Sequence, residues 1–111
     1  MAVDTSNVKL FVDQNIKEVK TIHNVARKMN MSYDTLRKSF LRKEQMPLAD
    51  YITMRKVQAM QEFLLLRDDP CFYVCYEFGY REDSGAKIFK KKTGMTMKEF
   101  RQKNKWRITI H

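Results

Sequence analysis

The residues of this chain best suited to chemistry are its basic ones. Arg37, Lys38, Arg42 and Lys43 recur at helical spacing around Leu36 and Phe40, and Lys90, Lys91 and Lys92 stand in a row after Phe89. Side chains of this kind bind anions: the planar fork of arginine can bond guanine at two acceptors, while lysine is a point charge that suits phosphate or water equally. Other chemistry finds little support. Cys71 and Cys75 are four apart, on one face of a helix, where a disulfide would staple almost nothing. A zinc site would need two further ligands, and the only histidines, His23 and His111, lack that spacing, so the thiols read as small buried hydrophobes. The acidic pair Asp68 and Asp69 is explained by helix capping, because Pro70 follows it. No histidine pairs with a Ser or Cys in a recognisable spacing and no Gly-rich phosphate loop exists, which argues against an enzyme and against any metal or cofactor.

Composition sets what can carry these groups. The 111 residues suffice for one domain or two very small lobes, and three Gly and two Pro leave little room for long loops. The net charge of +9 is uneven: residues 1–80 carry 12 Lys and Arg against 10 Asp and Glu, whereas residues 81–111 carry 10 against 3. That asymmetry points to an anionic partner, nucleic acid ahead of membrane, although a lysine-rich surface also serves solubility. No apolar run reaches membrane-spanning length and "MAVDTSNVKL" lacks the regions of a secretory signal, so the chain is expected to be cytoplasmic.

Strand signals are almost absent, and the chain reads as all-α, with about seven helices. A first helix is expected from about Ser6 to Asn15, with Val8, Phe11 and Val12 on one side. Thr21 offers an N-cap for the segment carrying Ile22, Val25, Ala26 and Met29, and Asn30 tolerates the left-handed conformation of a helix end. Ser32 offers the next cap, for a helix buried through Leu36 and Phe40. The longest periodic run extends from about Pro47 to Leu66, and twenty helical residues span about 30 Å. Asp69 and Pro70 start a helix that buries Cys71, Val74, Cys75 and Phe78 and ends at Gly79. A further helix holds Ile88, Phe89 and the three lysines and stops at Gly94, and Thr96 with Glu99 forms a capping box for a last helix with Phe100 inside. Phe11, Phe40, Tyr51, Phe63, Phe78 and Phe100 are expected in the core, Tyr80 is expected to pack, and the stretch after Lys103, with Trp106, has no assignment.

Laid side by side, "VARKMNMSYDTLRKSFLRK" and "VCYEFGYREDSGAKIFKKK" share one pattern: a Val and a small residue, a hydrophobic, a turn residue, a hydrophobic, then a basic helix. Two copies of a helix-turn-helix unit follow, with Ala26 or Cys75 at the close crossing, Asn30 or Gly79 in the turn and Leu36 or Phe89 anchoring the second helix.

At these residues the sequence resembles the DNA-binding domain of the AraC/XylS family of bacterial transcription regulators. The resemblance covers about Val8 to Arg101 and is most specific in "FKKKTGMTMKEFR", with support from "YITMRKVQAMQEFLLL" and "DDPCFYVCYEFGY". It implies two three-helix lobes, at 1–46 and 68–111, joined by a linker helix at 47–67, as in stand-alone members without a sensing domain. It implies base reading by Tyr33, Asp34, Arg37 and Lys38 in the first lobe and by Arg81, Asp83, Ser84 and Lys87 in the second. Ser32, Arg42, Lys43, Lys90, Lys91 and Lys92 would hold phosphate.

The sequence also departs from the family's pattern. The span from Gly79 to Phe89 is one residue shorter than usual, Gly85 stands where an aromatic or Leu normally packs, and Met97 stands where Pro is expected. The second motif is therefore expected to be re-registered or weakened, since a helical Gly costs about 1 kcal/mol relative to Ala and a lost buried aromatic costs more. Glu82 and Asp83 suit the start of a helix but would face phosphates unfavourably. The function implied is a sequence-specific DNA-binding transcription regulator with two recognition helices in successive major grooves. Its partners would be double-stranded DNA and RNA polymerase, with no membrane, and its state a monomer or weak dimer. The alternative is a degenerate module with one working lobe, acting through protein partners or non-specific DNA binding.

Overall fold

A computed structural model of the chain describes residues 3–109, with side chains through residue 104. The described residues form seven helices and no strand: α1 (Thr5–Gln14), α2 (Ile22–Lys28), α3 (Tyr33–Glu44), α4 (Leu48–Leu66), α5 (Cys71–Glu77), α6 (Glu82–Thr93) and α7 (Met97–Thr109). The chain divides into two compact units, Met1–Arg55 and Lys56–His111, with the boundary inside α4.

Local chemistry accounts for the starts of three helices. Asp4 caps α1, its carboxylate accepting from the amides of Ser6 and Asn7, so this helix begins one residue earlier than apolar spacing suggests. Thr21 and Asn24 cap α2 reciprocally: Asn24 N donates to the Thr21 hydroxyl oxygen, and Thr21 N donates to the Asn24 side chain. Thr96 and Glu99 repeat the arrangement before α7, and the amide and hydroxyl of Thr96 hold the Glu99 carboxyl below its ordinary pKa.

Two expected caps differ. Ser32 occupies the N-cap position of α3 with extended backbone, φ −68° and ψ 137°, but its hydroxyl makes no capping bond. Asp69 does not cap α5, because Arg67 Nε donates to its carboxylate at 2.6 Å; Pro70, one residue later, occupies the cap position. The pair Asp68–Asp69 is therefore not explained by capping as expected. The unassigned tail continues α7 to Thr109, with the Asn104 side chain donating to the Phe100 carbonyl; the side chain of Trp106 and all of His111 lie outside the described residues.

In the first unit Val8, Val12, Val25, Leu36, Phe40 and Leu48 are fully buried. Polar contacts tie α1 to its neighbours around that core. Asp13 accepts from Arg55 and Tyr51, and Glu44 accepts from Lys9 and Thr5 at 2.6 Å each, which holds the Glu44 carboxyl below its usual range.

The second unit buries Val57, Met60, Leu64, Val74, Cys75, Phe78, Phe89 and Met97. Arg101 closes the end of α4, donating to the carbonyls of Leu64 at 3.0 Å and Arg67 at 3.3 Å. Of the six aromatic residues expected inside, Phe40, Tyr51 and Phe78 are buried, whereas Phe11, Phe63 and Phe100 are half-buried. The last two lie at the margin of this core, Phe63 with its edge or face against Phe78 and the Arg67 guanidinium, and Phe100 edge-on to Phe89 at 5.6 Å.

Gly85 is the tightest point. It is buried, and a Cβ placed there would lie 2.6 Å from Cys75 Sγ, 2.9 Å from Cys75 Cβ and 3.1 Å from Tyr80 Cβ. The missing side chain leaves no void, because the Cys75 thiol fills the space, so the expected weakening by a lost aromatic is not what the packing shows. Burial in turn pushes the Cys75 thiol pKa up to about 11.

Two outcomes follow. Gly85→Ala should destabilise the chain by about 1 kcal/mol net, overpacking of roughly 1–3 kcal/mol exceeding the gain of about 1 kcal/mol in helix propensity. In a Cys75→Ala background the same substitution should become stabilising; urea titration of the four chains checks the reversal of sign. The unfolded thiol releases its proton before the folded one, so this contribution to stability is intact below pH ~9 and is lost as pH rises through about 11. Cys75→Ala should flatten that part of the alkaline decline in urea midpoint.

Candidate nucleic-acid interface

The two helix-turn-helix segments match residue for residue at an offset of 49 positions. Met31 N donates to Ala26 O at 2.9 Å, and Tyr80 N donates to Cys75 O at 2.9 Å. The turn residues Asn30 and Gly79 both have positive φ, 55° and 79°. Ser32 and Arg81 then resume extended backbone, and α3 and α6 each run for 12 residues before left-handed Gln45 and Gly94. The turn after Gly79 is thus of the same length as the turn after Asn30, and the second motif is re-registered onto the first without loss of geometry.

This frame corrects one equivalence. Phe40 corresponds to Phe89, both fully buried, and the counterpart of Leu36 is Gly85 rather than Phe89. Where the first motif has a small Ala26 and a large Leu36, the second has the larger Cys75 and no side chain at all. In the second motif the helices are close enough that Cys75 and Tyr80 occupy the space a side chain at Gly85 would take.

With Leu36 and Phe40 inward, a period of about 3.6 residues turns Asp34, Lys38 and Leu41 most directly outward, flanked by Arg37 and Arg42. Ser32, Asp34, Lys38, Arg42 and Lys43 are exposed, and Arg37 is half-buried. Tyr33 is less available, because its ring stacks on His23, centroids 4.1 Å apart and planes 11° from parallel. On α6 the corresponding outward stripe is Asp83, Lys87 and Lys90, flanked by Ala86 and Lys91; Arg81, Ser84 and Lys92 are exposed as well.

Among the described residues, the side chains of Arg37, Lys38, Arg42, Lys43, Lys87, Lys90, Lys91 and Lys92 make no hydrogen bond or ion pair. Lys9, Arg55 and Arg67, in contrast, are committed to Glu44, Asp13 and Asp69. Arg81 approaches Asp83 only at 3.9 Å, and both are largely exposed, so this pair contributes little. Asp83 also accepts from the amide of Ser84 at 2.9 Å. The start of α6 therefore differs from that of α3 by carrying two exposed carboxylates, Glu82 and Asp83, where α3 has Tyr33 and Asp34.

One supporting residue is invisible to simple patterning. Lys56 on α4 is 2% exposed, and its ammonium donates to the carbonyl of Phe78 and lies 5.2 Å from the centroid of the Tyr80 ring. It holds the turn that precedes α6 from beneath, and burial raises the pKa of the packed Tyr80 hydroxyl. A lysine among apolar positions of a long amphipathic run is the only signal the sequence offers for it.

No cluster of His, Cys, Asp or Glu among the described residues is placed to hold a metal ion, and no described helix is long and apolar enough to cross a membrane.

A helix-turn-helix domain family model matches residues 25–103. None of the curated proteins matches the chain significantly in sequence. The fold is similar to that of the C-terminal domain of AraT, a response regulator from Geobacillus stearothermophilus, with a TM-score of 0.82 at 18% identity over 88% of this chain and 83% of that one. It is similar to the DNA-binding domain of the global transcriptional factor AdpA, solved in complex with a target DNA (TM-score 0.82, 16% identity, 92% and 93% covered). A DNA-binding transcriptional dual regulator from Escherichia coli K-12 also matches, at 0.75 and 23% identity over 86% of each chain. With two matching motifs of one geometry and a family match across both, the chain belongs to the AraC-type helix-turn-helix domain family.

Proposed function

We propose that the chain is a sequence-specific DNA-binding transcription regulator, without a catalytic step, in which α3 and α6 enter successive major grooves of one duplex. The observation that carries this reading is the pair of equivalent motifs, each ending in a helix whose outward basic side chains make no hydrogen bond or ion pair among the described residues. Such side chains are ready to exchange water for phosphate oxygens or base edges. Arg37 and Lys38 would read bases from α3, with Asp34 beside them, and the stacked ring of Tyr33 would contribute through its hydroxyl. Lys87 and Ser84 would read from α6, Arg81 and Asp83 from its start. Ser32, Arg42, Lys43, Lys90, Lys91 and Lys92 would hold the backbone. One chain carries both reading helices, which supports binding as a monomer or weak dimer; RNA polymerase is the further partner that regulation would call on.

The carboxylates of Glu82 and Asp83 favour a second reading, in which α6 no longer reads sequence and only the first lobe is specific. Enrichment of random duplexes by the purified chain separates the two, since two boxes mean two working lobes and one box means one. Arg37→Ala should weaken binding to the enriched site by about 1–3 kcal/mol and relax the preference at one guanine. Lys91→Ala should weaken binding to all sequences alike and lower the slope of log K against log salt by about 0.9. Fluorescence anisotropy at several potassium concentrations reads both, and a response independent of salt would sink the proposal.

A further inference from the structure

The offset of 49 positions sets Ala86 of α6 where α3 has Arg37. We infer that Ala86 is a specificity-determining residue that takes the C5-methyl edge of a thymine, so that the two lobes demand chemically different base pairs at equivalent positions of their boxes. The inference rests on the proposed reading of DNA by both helices.

Ala86 is exposed in the second turn of α6, three residues after Asp83 and four before Lys90. With Tyr76, Arg81, Glu82 and Asp83 it lines a shallow hollow between the exposed face of α5 and the start of α6. Tyr76 is 70% exposed and gives the hollow an aromatic side. A methyl side chain has neither donor nor acceptor, and the thymine methyl is the one apolar feature on the floor of the major groove. Guanine presents two acceptors there, and the Ala86 side chain itself offers them no donor, while the carboxylates of Glu82 and Asp83 stand with Arg81 in the same hollow. In α3 the same place holds a guanidinium that no protein group occupies among the described residues, and that matches guanine at two atoms. The lysine next in sequence is kept in both helices, as Lys38 and Lys87, and so is the aspartate, as Asp34 and Asp83, so in this stretch the exposed positions differ most at Ala86 for Arg37 and at Glu82 for Tyr33.

The test uses the full chain and enrichment of random duplexes by wild type, Ala86→Arg and Ala86→Gly. The first box serves as an internal control for the first unit, and an unchanged urea midpoint shows that the second unit of each variant is folded. Wild type should select a thymine in the second box, and replacing that thymine by deoxyuridine should weaken binding about fourfold, the value of one buried methyl. Ala86→Gly should lose this sensitivity to uracil, and Ala86→Arg should change the preference at the same base pair to guanine with the first box unaltered. If two boxes are selected and neither variant changes the second, the assignment of Ala86 is wrong while the two-lobe reading stands. If only one box or none is selected by wild type, the two-lobe reading fails and the assignment with it.

Discussion

The backbone hydrogen bond that closes each turn, from Met31 to Ala26 and from Tyr80 to Cys75, is the constraint on which the site depends. It requires a left-handed residue just before it, supplied by Asn30 and by Gly79, and it fixes the direction in which the following helix departs. Once that direction is fixed, the first and second helices of each motif cross at a distance only a small pair of side chains can fill. Ala26 with Leu36 is the pair in the first motif and Cys75 with Gly85 in the second, where Cys75 and Tyr80 lie directly against the glycine. The outward faces of α3 and α6 are then settled by helical period, which leaves their composition free to vary without disturbing the core.

Much of this was legible in the residues. Seven helices, the turns at Asn30 and Gly79, and the caps at Thr21 and Thr96 could be read because each rests on chemistry within a few residues. The expectations that differed share another cause: a competing partner. Asp69 has a carboxylate suited to capping, but Arg67 takes it. Ser32 stands at the right place, yet extended backbone alone starts α3. Gly85 reads as a defect when only its own helix is considered, and as a fitted position once the sulfur of Cys75 is opposite. Lys56 could not be found from period alone, since a lysine on an amphipathic helix is usually solvated.

The candidate site divides the same way. Its cations were legible as a set, because charge and spacing suffice to locate them. The use of each was not, because equivalence between the motifs depends on where the turn closes. Pairing Leu36 with Phe89 slides one helix against the other by a full turn. The hydrogen-bonded frame removes that slip, and it is what sets Ala86 opposite Arg37.

Lys56 and the lysines of α6 carry the same charge in different surroundings. Exposed ammonium groups feel dissolved ions, whose screening reaches about 10 Å at 0.1 M, whereas an ammonium enclosed by protein is largely shielded from them. The second unit therefore has one lysine whose grip on the fold persists in brine while its exposed neighbours on α6 let go of any polyanion. If α6 holds DNA as proposed, salt would release it while leaving the Lys56 contact beneath the turn in place.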